Sequence, residues 1–86
     1  MPAYRLSAEL GVIELIHGMK PHDRAAVLDG FRRLLQNPNA VGDWRTRDAG
    51  GRDIEVKVFG RWQITYWLDS PVWELRVVEV RRISLS

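Results

Sequence analysis

The sequence of 86 residues has no cysteine, only two histidines and no long hydrophobic run. Without cysteine there is no disulfide framework, thiolate zinc site, iron–sulfur cluster or thiol nucleophile. His17 and His22 are five positions apart across a predicted helix end, which is not a metal-ligand spacing on one helical face. No apolar stretch reaches the roughly 18 residues of a membrane span. We therefore expect one cytoplasmic globular domain over residues 1–86, without a metal, another cofactor or a membrane partner.

Charged residues are present in both signs, with a small excess of cations. Eleven of the thirteen cations are arginine, whose planar fork of donors suits phosphate. Residues 44–86 carry eight cations and six anions, whereas residues 1–43 are balanced, so the whole net charge of +2 lies in the second half. This excess is too small to establish a nucleic-acid partner. The deciding question is whether the arginines of the second half share one face.

The first half of the sequence predicts two amphipathic helices joined as a hairpin. Apolar residues recur at helical spacing over residues 7–18, where Ser7 is the expected N-cap. A second helix is predicted over residues 21–37 and ends before Pro38. Arg24 is expected on its solvated side, opposite an apolar stripe. That stripe consists of Val27, Leu28, Phe31, Leu34 and Leu35.

The second half predicts strands, because apolar and polar residues alternate in it. The strand segments are residues 44–47, 52–59, 62–68 and 73–82. The alternation shifts phase at Val78, which indicates either a β-bulge or burial on both faces. Residues 4–6 predict a short extra strand at a sheet edge. The predicted fold class is therefore α+β, with an N-terminal helical hairpin packed on a three- to four-stranded antiparallel sheet.

The sheet face away from the helices is predicted to be polar. By alternation it carries Glu55, Lys57, Gln63, Thr65, Trp67, Glu74 and Arg76, with Arg45 or Arg47 from the first strand. Its basic residues would line an anionic groove in which an exposed tryptophan stacks on a base. The predicted RNA-binding residues are Arg45, Arg47, Trp67 and Arg76. The alternative is an ordinary solvated face held by cross-strand pairs, such as Lys57 with Glu74 or Arg76 with Glu55.

Four local strings, in this order, carry a family resemblance. They are Leu34-Leu35-Gln36-Asn37-Pro38, Ile54-Glu55-Val56-Lys57-Val58, Gly60-Arg61-Trp62-Gln63-Ile64-Thr65-Tyr66 and Val77-Val78-Glu79-Val80-Arg81-Arg82. With the predicted elements, they resemble the RelE/ParE superfamily of bacterial type II toxin–antitoxin toxins. In that family a helical hairpin with an Asn-Pro-like stop precedes a strand with basic residues, a Tyr-Arg-apolar-apolar-Tyr strand and a strand ending near a basic cluster.

The resemblance implies a cytoplasmic toxin that a cognate antitoxin protein neutralises. In the RelE branch the toxin is a ribosome-dependent mRNA endonuclease that inhibits translation, with the ribosome and mRNA as its partners. There a ribose 2′-hydroxyl attacks the adjacent phosphate, positive charges stabilise the phosphorane, and no metal is required. In the ParE branch the toxin inhibits DNA gyrase without enzymatic activity. The expected function is the endonuclease, with the gyrase inhibitor as the alternative.

The resemblance also implies candidate catalytic residues. Lys57 matches a basic strand residue associated with RelE-type catalysis. Three arginines lie one position away from places where the family carries basic residues, so the predicted catalytic set is Lys57, Arg61, Arg81 and Arg82.

Other positions depart from the family pattern. Glu55 stands where a second basic residue is expected, and Gln63 stands where the family has an arginine. Most of the family's catalytic set is therefore missing or displaced. An inactive member that only binds an antitoxin-like partner is a third possibility.

Overall fold

The helices and strands form an α+β sandwich in which both helices pack on the same face of one sheet. The computed structural model describes residues 3–40 and 42–83. In chain order the elements are β1 (Arg5–Ala8), α1 (Leu10–His17), α2 (Pro21–Gln36), β2 (Trp44–Arg47), β3 (Asp53–Phe59), β4 (Trp62–Asp69) and β5 (Glu74–Arg82). In the part of the chain that the structure describes, no helix is long and apolar enough to cross a membrane.

The sheet has five strands in the order β1-β5-β4-β3-β2. Strands β2 to β5 form an antiparallel meander, whereas β1 pairs in parallel with β5. The prediction of three to four antiparallel strands behind an N-terminal hairpin was therefore wrong, although an edge strand was expected near this position. β1 has only four residues and is held by distant partners: Arg5 N donates to Trp73 O at 2.9 Å and Glu9 N to Val77 O at 3.2 Å. Local sequence does not reveal such a pairing.

The predicted phase shift in β5 is a β-bulge. Thr65 lies opposite Glu79 while Tyr66 lies opposite Val77, so the register passes over Val78. The bulge keeps apolar residues on the core side both before and after it. This confirms the first of the two explanations that the sequence left open.

The helices begin and end close to the predicted positions, with one correction at the start of α1. Ser7 lies inside β1, and α1 begins after Glu9, which makes no side-chain capping bond. The prediction of Ser7 as the N-cap was therefore wrong. α2 spans Pro21–Gln36, with proline in its first turn as predicted.

The main core lies between the helices and the sheet face that we call the helix-bearing face. Its buried residues are Val12, Val27, Phe31, Leu34, Trp62, Ile64, Tyr66, Leu75, Val77 and Val80. α2 approaches the sheet closely at Gly30, where an added Cβ would lie 3.0 Å from Ile64 Cδ1 and 3.1 Å from Phe59 Cδ2. Val27, Phe31 and Leu34 of the predicted stripe are buried, which confirms the orientation of α2.

Arg24 ties α2 to the end of α1. Its guanidinium donates to the carbonyl oxygens of Ile16 at 3.2 Å, His17 at 2.9 Å and Met19 at 3.1 Å. Carbonyl groups in the last turn of a helix lack partners within the helix, so this side chain satisfies them. The prediction that Arg24 lies on the solvated side of α2 was wrong.

We expect Arg24→Ala to lower the free energy of unfolding by about 1–3 kcal/mol, because hydrogen bonds from a charged donor to α1 are lost. Arg32→Ala is the matched control, since Arg32 is an exposed arginine of the same helix. Its effect should stay within about 0.5 kcal/mol. Urea denaturation measures both, and equal effects would contradict the contribution of Arg24 to helix packing.

Candidate functional site

The strand register divides the predicted site residues between the two faces of the sheet. Residues directly opposite each other on antiparallel strands share a face. Lys57 lies opposite Ile64 and Glu55 lies opposite Tyr66, and both partners belong to the main core. Lys57 and Glu55 therefore lie on the helix-bearing face. Their predicted place on the opposite face, which we call the far face, was wrong.

The apolar residues of β3 explain the error. Ile54 and Val56 are buried, at 6% and 3% exposure, yet they stand apart from the main core cluster. They lie opposite Thr46 and Trp44 of β2, on the far face. Alternation shows which residues of a strand share a face, but a shift of one residue exchanges the two faces. In β3 the sequence therefore identified the two sets and assigned each to the wrong face.

The predicted RNA-binding residues do not form one groove. Trp67 and Arg76 lie opposite each other on β4 and β5, on the far face as expected. Arg45 lies opposite Glu55 and is therefore on the helix-bearing face. Arg47, two residues further along β2, is on the same face. The cross-strand pairs suggested from the sequence are not formed either, because the cations have other partners.

The helix-bearing face carries a pocket of about 170 Å³ beside the last turn of α2, which we call the Lys57 pocket. It is lined by Arg33, Leu34, Asn37, Ala40, Lys57, Phe59 and Tyr66. α2 contributes Arg33, β3 contributes Lys57, and β4 contributes the buried Tyr66. Two cations and a phenol thus border one concave site, which suits an anionic group.

Asp43 holds the loop before β2 against β3 and lies beside Lys57. Its carboxylate Oδ1 is 3.7 Å from Lys57 Nζ, and Oδ2 accepts a hydrogen bond from Val58 N at 2.6 Å. The preceding Gly42 fits closely, since a Cβ there would lie 2.8 Å from the backbone oxygen of Val56. The fold therefore places a carboxylate next to the predicted catalytic lysine.

Glu55 forms a second ion pair near the pocket. Arg45 donates from both Nε and Nη2 to Glu55 Oε1, at 2.9 Å and 2.5 Å. This hydrogen bond, and then the charge of Glu55, raise the pKa of Arg45 above its ordinary value. Arg47 is paired as well, with Asp53 at 3.3 Å. The arginines of β2 are therefore matched by carboxylates of β3.

Tyr66 is 1% exposed and borders the Lys57 pocket. Burial is the main cause that raises the pKa of the Tyr66 phenol, and the charges of Glu55 and Asp43 add to it. The phenol therefore stays protonated, as a hydrogen-bond donor, at neutral pH.

We expect the free energy of unfolding to fall as the pH rises above about 10, where tyrosine in the unfolded chain loses its proton. Native Tyr66 still holds its proton there, so alkaline conditions favour the unfolded state. Tyr66→Phe should flatten this decline. Urea midpoints between about pH 9 and pH 11, compared between Tyr66→Phe and the wild-type chain, measure the slope. An equal slope in the two proteins would contradict the assignment.

Arg61, Arg81 and Arg82 meet at one end of the sheet, which we call the arginine end. Arg82 lies opposite Trp62, and Arg81 lies opposite Gln63. Arg61 is in the turn between β3 and β4, and all three arginines are exposed. None of them forms an ion pair with another residue in the described ranges. Arg82 shares the face of Lys57, whereas Arg81 is on the far face.

Sequence reasoning missed three residues of the Lys57 pocket region: Arg33, Asp43 and Tyr66. Arg33 was predicted to be solvated, and it is exposed and paired with Asp29, yet it borders the pocket. The sequence did offer one signal for Arg33, because it lies in the last turn of α2, just before the Asn37-Pro38 pair that ends the helix. Within the described residues, no three histidine, aspartate or glutamate side chains are grouped so that they could hold a metal ion.

The five-stranded sheet with two helices on one face is similar to the fold of solved RelE structures. No protein-family model matches the sequence, and no curated protein matches it. Among solved structures, the archaeal RelE–RelB complex from Pyrococcus horikoshii is similar, with 11% identity, a TM-score of 0.75, and coverage of 99% of this chain and 100% of that chain.

Two further solved structures have a fold similar to that of this chain. The RelBE2 toxin–antitoxin complex from Mycobacterium tuberculosis has 20% identity and a TM-score of 0.76, covering 94% of this chain and 99% of that chain. The isolated RelE toxin from E. coli has 14% identity and a TM-score of 0.74, covering 98% of this chain and 88% of that chain. The RelE-like fold implied by the sequence resemblance is therefore confirmed.

Proposed function

We propose that the chain is the toxin component of a toxin–antitoxin system and that a cognate antitoxin protein is its partner. The fold match with RelE toxins carries this proposal, because it spans nearly the whole of both chains. Among the similar structures are a RelE–RelB complex and the RelBE2 toxin–antitoxin complex, which supports an antitoxin as the partner.

The proposed activity is ribosome-dependent cleavage of mRNA, which would inhibit translation. The Lys57 pocket and the arginine end support it, because the reaction needs positive charge around one phosphate. A ribose 2′-hydroxyl gives up its proton to water and bonds to the adjacent phosphorus, which becomes a 2′,3′-cyclic phosphate. The bond from phosphorus to the 5′-oxygen breaks, and the 5′-oxygen takes up a proton from water. Lys57 and Arg82 share a face and supply charge to the phosphorane, and Arg61 and Arg81 hold flanking phosphates.

Ion pairing near the Lys57 pocket favours a second candidate, a toxin that acts by binding a protein. Asp43 lies beside Lys57, and Glu55 is paired with Arg45, so two carboxylates lower the positive charge that a phosphorane would meet. Such a toxin would inhibit DNA gyrase in the manner of the ParE branch. An inactive member would bind only an antitoxin-like partner.

Controlled expression in bacteria separates these candidates. The chain is induced from a tightly regulated promoter, and the 5′ ends of cellular mRNA are mapped within minutes. Growth arrest with new ends inside translated codons is the expected result. Arrest with intact mRNA and DNA damage would replace the nuclease with the gyrase inhibitor. Normal growth with intact mRNA would contradict both toxic activities and leave the inactive binder.

A further inference from the structure

Two guanidinium groups lie against one tryptophan on the far face. The Cζ atom of Arg52 is 3.8 Å from the centroid of the Trp67 ring, and the Cζ atom of Arg76 is 5.5 Å from it. Trp67 is only half-buried. Such a ring offers a flat π surface on which a second planar group can stack.

The tryptophan and both arginines border a pocket of about 270 Å³. We call it the Trp67 pocket. Its other lining residues are Ser7, Ala8, Glu9, Val77 and Val78. Val78, one of these lining residues, is at the β-bulge, where the ladder between β4 and β5 is interrupted. The volume is just below the roughly 300–1,000 Å³ of typical small-molecule sites, so one planar heterocycle fits it better than a large ligand.

The two arginines differ in how firmly they are held. Arg76 is fixed by Asp69 at 3.1 Å and by Glu74 at 3.4 Å. Arg52 forms an exposed ion pair with Asp48 at 3.6 Å, and Asp48 also accepts backbone hydrogen bonds within the same turn. An exposed pair of this kind holds a side chain weakly. The side chain of Arg52 can therefore leave the Trp67 ring and bind a phosphate instead.

Glu9 is the one carboxylate among the residues that line the pocket. A carboxylate accepts hydrogen bonds from exocyclic amino groups, such as N4 of cytosine. Stacking on Trp67, charge from two arginines and an acceptor for an amino group together match a nucleobase and its phosphate.

We propose that the Trp67 pocket binds one unpaired, amino-bearing nucleobase of a single-stranded nucleic acid, with the base on Trp67 and the adjacent phosphate on Arg52. The base replaces the guanidinium of Arg52 on the ring. This site lies on the face opposite the Lys57 pocket, so it adds to the proposed function and does not depend on RNA cleavage.

The test is an NMR titration of the purified full-length chain that follows the indole N–H signals of its four tryptophans. The signal that Trp67→Phe removes is that of Trp67. The probes are tetracytidylate with 2′-O-methyl riboses, which cannot be cleaved, its DNA counterpart, and inorganic phosphate alone. We expect both oligonucleotides to shift the Trp67 signal and inorganic phosphate to leave it in place. A shift with only one of the two oligonucleotides supports the site and identifies which nucleic acid it binds.

Matched variants locate the contact. Arg52→Ala should weaken tetracytidylate binding about tenfold, as expected for loss of a stacking or phosphate contact. Arg32→Ala is the control, because Arg32 is an exposed arginine of α2, on the helix side of the sheet. Trp67→Leu should weaken binding by at least as much as Arg52→Ala, whereas Trp67→Phe, which keeps an aromatic ring, should retain most of it. Because both Trp67 variants lack the Trp67 signal, the fluorescence anisotropy of end-labelled tetracytidylate measures binding for all variants.

Three results would overturn the inference: no shift of the Trp67 signal at millimolar tetracytidylate, an equal shift with phosphate alone, or equal effects of Arg52→Ala and Arg32→Ala. The proposed nuclease activity is tested by a different measurement, which is mRNA cleavage in cells. Base binding at Trp67 without mRNA cleavage in cells would leave this inference standing, and mRNA cleavage without base binding would leave the nuclease standing.

Discussion

Lys57→Gln should lower mRNA cleavage by about a hundredfold or more and abolish growth arrest, because removing one preorganised group that stabilises transition-state charge has an effect of this size. The fold should persist. Within residues 3–40 and 42–83, Lys57 is paired only with Asp43, at 3.7 Å, and both side chains are partly exposed. Such a pair contributes under about 1 kcal/mol to stability. Primer extension on cellular mRNA after induction measures the cleavage.

The matched control for Lys57→Gln is Lys20→Gln, at the only other lysine of the chain. Lys20 is exposed at the start of α2, and the same change of charge there should leave toxicity intact. Circular dichroism establishes that both variants are folded. Full toxicity of Lys57→Gln would remove Lys57 from the reaction and favour a toxin that acts by binding a protein.

Phe31→Ala should lower the free energy of unfolding by about 3–5 kcal/mol, because it leaves a cavity between α2 and the sheet. Phe31 is 6% exposed and belongs to the main core. For a small domain this is a large part of a total stability of about 5–15 kcal/mol. Urea unfolding followed by tryptophan fluorescence measures the loss.

Leu10→Ala is the comparison for Phe31→Ala. Leu10 is also a large apolar residue of a helix, but it is 69% exposed on α1. Its replacement should change the free energy of unfolding by less than about 0.5 kcal/mol. If both variants lost similar stability, the core would not lie where the structure puts it.

Most helices and strands could be predicted from the sequence, because their signals are local. The apolar stripe of α2, the proline in its first turn, the alternation in β3 and the phase shift at Val78 all lie within short windows. The parallel pairing of β1 with β5 could not be predicted, since it joins segments that are far apart in the chain. The partners of Arg24 lie only 5–8 residues before it, but they were not predicted because the contact depends on how α1 and α2 pack against each other.

The candidate site could be predicted only in part. Lys57 and the three arginines of the predicted catalytic set were proposed from the resemblance, and the structure brings the three arginines to one end of the sheet. The faces of β3 were exchanged, because Ile54 and Val56 are buried on the side without helices. A strand with both faces covered carries no local signal for which face meets the helices.

The ion pairs of the site explain why charge counting was a poor guide. Lys57, Arg45, Arg47 and Arg76 were expected to present free charge to a nucleic acid, but each has a carboxylate partner. Among the described residues, the three arginines of the arginine end have no carboxylate partner, and neither do Arg5, Lys20, Arg24 and Arg32 elsewhere on the molecule. Of the predicted catalytic residues, only those at the arginine end therefore present a charge without such a partner to a phosphate.

The most direct test of the account uses purified components. The chain is mixed with ribosomes paused on a defined mRNA, and the 5′ ends of the products are mapped by primer extension. If the chain is a ribosome-dependent nuclease, we expect cleavage inside the codon held by the ribosome and no cleavage of the same mRNA without ribosomes. We also expect Lys57→Gln to lose this cleavage. Intact mRNA on ribosomes in the presence of excess folded wild-type chain would contradict the proposed nuclease.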